Sequence, residues 1–225
     1  MTSSRPCSRA ARAPIRTLLL AGALALLASG CSVLPQPPAH AAIYDFGPPA
    51  AQAPAAQAQR LPAIALAEVQ TLGLPEDSTA LLYRLAYANA QQLRPYAQAR
   101  WSQPPATLLT AALQEQLGQQ RPVLLGDAGL TQQLAGGGLP AVLRVQLEEF
   151  SQVFDTPQTS AALVRVRATL SRASGQGEAL QGQRLFTVRV PADTPDAAGG
   201  ARALTQASRQ VATELAQWLQ SQPAH

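Results

Sequence analysis

Three stretches in the second half of the chain alternate apolar and polar residues at the period of a β-strand: Leu143, Val145, Leu147; then Val164, Val166, Ala168, Leu170; then Phe186, Val188, Val190. Asp155-Thr156-Pro157 and Ser174-Gly175-Gln176-Gly177 separate them as turn sequences, so the three are expected to form an antiparallel meander. Two other stretches carry the helical period. Leu108, Leu109, Ala112, Leu113 and Leu117 follow Pro104-Pro105, where a helix can begin, and run to Gly118. Leu204, Ala207, Val211, Leu215, Trp218 and Leu219 place one apolar stripe on a last helix that stops before Pro223. Shorter signals fill the rest. Ala63 to Val69 is an apolar run of strand length, and Leu81 to Tyr87 is another, turned by Asn89–Gln92 into Leu93–Trp101 as a hairpin. Pro122 to Leu125 reads as a short buried strand and Gly136-Gly137-Gly138 as a flexible join. Two main helices on a mixed or mostly antiparallel sheet make a single α/β domain, placed at residues 61–222.

The chain ahead of that domain has a different character. Residues 32–60 are rich in Pro, Ala and Gln and read as a flexible tether, interrupted by Ile43-Tyr44-Asp45-Phe46, a candidate short strand docking onto the domain. Residues 1–30 read as a secretory signal: Arg5, Arg9, Arg12 and Arg16, an uncharged apolar run from Thr17 to Leu27, then the small residues Ala28-Ser29-Gly30 before Cys31. The run is short of the ~20 residues that span a bilayer.

That division changes the meaning of the charge. The whole chain has a formal charge of +4, with every one of its 17 basic residues an arginine. Removal of the four in the signal leaves 13 arginines against 13 acids, so the electrostatic case for a nucleic-acid partner disappears. Cysteine is limited to Cys7, inside the signal, and Cys31, so the remainder has no thiol pair to oxidise.

The same inventory bounds the chemistry. The two histidines are His40, in the tether, and His225, at the C-terminus, and lysine is absent. Without an ordered His, a free Cys or a Lys, no nucleophilic triad, Schiff base, phosphate-loop lysine or His/Cys metal site can be assembled, and neither a catalytic set, a metal nor a cofactor is expected. A carboxylate pair could still run glycoside chemistry, but Glu148 and Glu149, as neighbours on a strand, are expected on opposite faces. Arg144, Arg165, Arg167 and Arg189 alternate with core positions and are expected on the outward face of the meander. They form either a guanidinium patch that engages an anionic partner or a solvated face on which Glu148 and Gln146 pair with them across strands, the more ordinary outcome.

Leu27-Ala28-Ser29-Gly30-Cys31 resembles a bacterial lipoprotein signal, in which the Cys thiol is acylated; Ser32 after it fits outer-membrane sorting. With it come Tyr44-Asp45-Phe46, Tyr96-Ala97-Gln98-Ala99-Arg100-Trp101 before Pro104-Pro105, Leu147-Glu148-Glu149-Phe150, Arg184-Leu185-Phe186 leading to Val190-Pro191, and Trp218-Leu219. In this order they resemble the ABC-type transport auxiliary lipoprotein family, which includes the lipoprotein of the paraquat-inducible transport system. The resemblance implies a non-enzymatic lipoprotein anchored by lipid at Cys31 to the periplasmic face of the outer membrane. It also implies MCE-domain and ABC transporter subunits as partners in moving lipid between membranes, and leaves a homo-oligomer open. The alternative is another envelope lipoprotein, such as a peptidoglycan synthase activator or an outer-membrane assembly factor.

Overall fold

In the computed structural model, residues 40–48, 61–75, 77–174 and 177–222 are described; the signal segment, Cys31, and the tether apart from 40–48 lie outside them. The elements in order are β1 (Ala42–Tyr44), β2 (Ile64–Leu66), β3 (Gln70–Thr71), β4 (Ala80–Leu85), α1 (Ala86–Asn89), β5 (Ala90–Trp101), α2 (Pro105–Gly118), β6 (Val123–Leu125), α3 (Gly126–Thr131), β7 (Ala141–Thr156), β8 (Thr159–Ser174), β9 (Gly177–Pro191) and α4 (Ala197–Gln220). This is the mixed α/β fold that the periodicities predict, with nine strands in one open sheet among the described residues.

Strand β7 is the spine of that sheet. Along one edge it pairs antiparallel with β8, which pairs antiparallel with β9, giving the expected meander with strands of 16, 16 and 15 residues. Its other edge serves three short parallel strands in succession: β2 against Ala141–Leu143, β3 against Gln146–Leu147 and β4 against Gln152–Phe154. Beyond them, β6 adds to β2, β5 adds to β4 and β1 adds to β5.

Alternation puts Leu143, Val145, Leu147, Val164, Val166, Ala168, Leu170, Phe186, Val188 and Val190 on one face, all buried. The apolar stripe of α4 covers that face, with Leu204, Ala207, Val211, Leu215, Trp218 and Leu219 buried, and α2 lies against α4 through Leu108, Leu109, Leu113 and Leu117. Each buried side chain of this size contributes about 1.5–3 kcal/mol by leaving water. Rings lock the two ends of the core. Phe186 meets Trp218 edge to face at 6.0 Å, and Trp101 meets Phe46 at 5.7 Å and Phe150 at 5.6 Å.

Helix α4 begins at Ala197, ahead of its apolar stripe, because Asp196 caps it: the carboxylate accepts the Gly199 N–H at 2.7 Å and the Thr194 hydroxyl at 2.8 Å. Gly200 in the first turn lies so close to the Gln152 side chain of β7 that a Cβ there would overlap it.

Four local expectations need correction. The strand expected to reach Tyr87 ends at Leu85, and Ala86–Asn89 forms a helical turn. Alanine is poorly suited to strands, and the Asn89 side-chain oxygen accepts the Gln91 N–H at 3.1 Å, so the chain reverses earlier than expected and β5 starts at Ala90. The run from Ala63 to Val69 supplies only β2, and β3 follows it; the Ala67 and Leu72 N–H groups bond to the Leu143 and Leu147 carbonyls, so the segment follows β7 with a break between. Strand β6 is half-buried to exposed rather than a buried strand. The triple glycine is a hydrogen-bonded turn rather than a loose join: Leu134 N–H bonds to Gly138 O at 3.0 Å and Gly137 N–H to Leu134 O at 2.8 Å, with Gly137 and Gly138 at φ of 82° and 83°.

Candidate functional site

The four meander arginines share the outward face of β7, β8 and β9, away from α4, and each meets a carboxylate. Arg144 Nη1 donates to Glu178 Oε1 at 2.6 Å and to Ser171 Oγ at 3.0 Å. Arg165 Nε and Arg167 Nε donate to the two oxygens of one carboxylate, Glu148, at 2.8 and 2.7 Å. Arg189 pairs with Asp155. Glu148 is the cross-strand partner expected from sequence, and Gln146 stands opposite Arg167 in register. The bond from Arg144, followed by that from Ser171, holds the Glu178 carboxyl below its ordinary range.

Glu148 and Glu149 do not point to opposite faces. The ladder passes from Leu147 opposite Val166 to Glu149 opposite Arg165, so Glu148 is an extra residue in a β-bulge. Both carboxylates therefore lie on the outer face. Glu148 takes Arg165 and Arg167, while Glu149 takes Arg84 from β4, whose Nη2 and Nε reach Oε2 at 2.9 Å and Oε1 at 3.3 Å. Side-chain exposure of only 13% for Glu148 and 16% for Glu149 means that these guanidinium groups substitute for water. Sequence reasoning missed Arg84, Glu149, Glu178 and Asp155 as partners. Arg84 follows core residues in a strand, and its link to Glu149 depends on the parallel β4–β7 pairing, which no local pattern reveals.

A second polar group lies where α4 meets the sheet. Tyr96 donates its hydroxyl to Gln152 Oε1 at 2.8 Å, and Gln152 Nε2 donates to Ser160 Oγ at 2.8 Å. Gln152 is wholly buried, so these bonds replace the water it gave up. Burial first, then the charges of Tyr83 and Asp196, push the Tyr96 hydroxyl above its ordinary range.

Among the described residues, hollows open on the surface in at least two places. One of about 670 Å³ lies between the β2–β3 segment and the start of α2, with Glu68, Asp77, Pro105 and Thr110 in its lining. The other, about 560 Å³, lies between β1 and α4; Ile43, Phe46, Arg202 and Arg209 line it, and Arg209 Nη2 donates to the Phe46 carbonyl at 2.5 Å. Among the described residues, no group of three or more His, Cys, Asp or Glu side chains is placed to hold a metal ion. His40 is exposed and outside any strand. The arrangement is an arginine–carboxylate face on the sheet, with each of the four meander arginines paired.

Comparison with known proteins places this architecture. No curated protein matches the sequence. Among solved structures, protein XCC0632 from Xanthomonas campestris superposes with a TM-score of 0.60 at 22% identity, covering 78% of this chain and 93% of that one. An uncharacterized protein superposes at 0.55 and 15% identity, covering 80% of this chain and 99% of that one. At these identities the likeness is one of fold. The family model for the ABC-type transport auxiliary lipoprotein component matches residues 44–216, from the end of β1 to the last turns of α4, and the chain belongs to that family.

Proposed function

We propose that the protein is a non-enzymatic accessory subunit of an ABC-type system that moves lipid between membranes through MCE-domain proteins. In this reading it is acylated at Cys31 and held on the periplasmic face of the outer membrane. The observation that carries the reading is one coincidence: a chain of this family also has a cysteine, Cys31, directly after a signal-like segment, followed by Ser32. Among the described residues no helix is long and apolar enough to cross a membrane, and attachment in this reading is by lipid. Each acyl CH₂ taken into the bilayer contributes about 0.8 kcal/mol, so two or more chains hold a domain stably where one does not.

The work such a subunit does is mechanical. The acyl chains fix the domain, and its rigid sheet docks onto the transporter's periplasmic end. Internal pairing of Arg144, Arg165, Arg167 and Arg189 favours the solvated-face reading of those residues over a patch waiting for anions.

Cross-linking in intact cells followed by affinity purification tests the partner. An MCE-domain protein with its transporter subunits is expected; recovery of a peptidoglycan synthase and no transporter subunit would sink the proposal. Cys31→Ser tests the anchor. The variant is expected to accumulate as an unacylated precursor, and its persistence in the outer-membrane fraction would refute lipid attachment.

A further inference from the structure

The β4–β5 hairpin ends in a knob that has no role in the core. Ala86 to Gln92 are seven consecutive exposed residues, none charged, and Tyr87 displays 49% of its surface. The knob is braced from below: Arg84, already paired with Glu149, donates Nη1 to the Ala90 and Gln91 carbonyls at 3.3 and 3.2 Å. Beside it lies the turn Thr156–Thr159, also exposed and uncharged, because β4 and β7 run parallel and their pairing ends with Leu85 opposite Phe154, two residues before that turn. No acidic residue occurs between Asp77 and Glu115, whereas Arg84, Arg94 and Arg100 all fall there. Of the exposed acids toward that end, Asp155 and Asp193 are met by Arg189 and Arg202, and Asp196 is taken up in the cap of α4 by the Gly199 N–H and the Thr194 hydroxyl.

The direction of the chain singles out this end. Strand β1 is parallel to β5, with Ala42 opposite Ala99, so the chain enters β1 from the side on which β5 begins, the side of the knob. From Ala99 back to Ala90 is roughly 30 Å at strand spacing. From Ala42 back to Cys31 the chain can span up to roughly 38 Å. A lipid at Cys31 can therefore reach the level of the knob.

Resting on the acylation of Cys31 proposed above, we infer that the knob Ala86–Gln92 seats on the anionic phospholipid surface that holds the anchor, with the Tyr87 ring at the headgroup level. An uncharged turn approaches headgroups without the cost of desolvating a charge, tyrosine favours the membrane–water interface, and Arg94, two residues behind the turn, draws the hairpin to negative lipid. The opposite end, with exposed Leu139 and Leu180, is thereby turned away from the bilayer.

The test uses the full acylated chain on vesicles of phosphatidylcholine with one-quarter phosphatidylglycerol, compared with phosphatidylcholine alone, read by amide hydrogen exchange. Exchange over 86–92 is expected to slow about threefold or more on the anionic vesicles, with 135–141 unchanged. Tyr87→Asp is expected to abolish the slowing while the protein still floats with the vesicles, and Tyr87→Trp to retain it. Equal exchange at the two ends, or protection at 135–141 instead, overturns the inference. If the parent chain carries no acyl group and does not float, it is the anchor that has failed. Coupling a maleimide lipid to Cys31 in a Cys7→Ser chain then restores attachment, and the same exchange comparison decides the seat of the knob.

Discussion

The two faces of the meander are made by the same three strands and are held by different physics. Toward α4, Val164, Val166, Phe186 and Val188 are removed from water in one core with the helix's apolar stripe. On the other face, at the alternate positions, Arg165, Arg167 and Arg189 remain beside water and meet acids. The first face carries stability because apolar burial grows with area, and the second adds little because each exposed pair trades solvation for contact at nearly equal value. The outer face is itself uneven, since Glu148 is nearly covered while Asp155 is half in solvent.

The largest effect should come from the covered face. Trp218→Ala removes the ring that meets Phe186 edge to face and is expected to cost about 3–5 kcal/mol in urea denaturation; a cost below about 1 kcal/mol would mean that α4 is not what closes the core. Next, Arg165→Gln with Arg167→Gln leaves the Glu148 carboxylate desolvated without a cation, for a loss of about 1–2 kcal/mol. Adding Glu148→Gln to that pair should restore most of it, and no recovery would show that the arginine stems, rather than the charges, mattered.

Asp196→Ala should cost about 1 kcal/mol at neutral pH through loss of the cap. The Gly199 N–H and then the Thr194 hydroxyl hold the Asp196 carboxyl below its unfolded value. The stability this group adds is thus present above about pH 4 and lost as pH falls through the lower, folded value. The gap in melting temperature between parent and variant should accordingly narrow in acid; a gap that widens would contradict the assigned bonds. The smallest change belongs to Arg189→Gln, on the most open pair of the outer face, at under about 1 kcal/mol and weakening with salt.

The contrast between the faces also marks what can be read from a sequence. The covered face was legible because Val164 to Leu170 and Leu204 to Leu219 repeat at fixed periods, and periodicity is the imprint of burial. The outward placement of Arg144, Arg165, Arg167 and Arg189 followed from the same alternation. Their partners did not all follow. Glu149 joins Glu148 on one face only because a bulge shifts the register, and a bulge depends on how a long strand twists against its neighbour. Arg84 finds Glu149 across 65 positions of sequence, through a parallel pairing that leaves no local trace. The helical turn at Ala86–Asn89 was hidden inside an apolar run too short to separate strand from helix.

Strand β7 has a consequence in time. Strands β2, β3 and β4 all take a place in the sheet by pairing with its edge, so nothing between Ile64 and Leu85 can complete its hydrogen bonding until Ala141–Thr156 has emerged. The meander that follows pairs strands adjacent in sequence and needs only local contacts. A chain threaded from its N-terminus thus delivers first the half that must wait and last the half that folds at once, so the early part stays extended through synthesis. That order suits the export proposed above, in which the chain would cross a membrane unfolded.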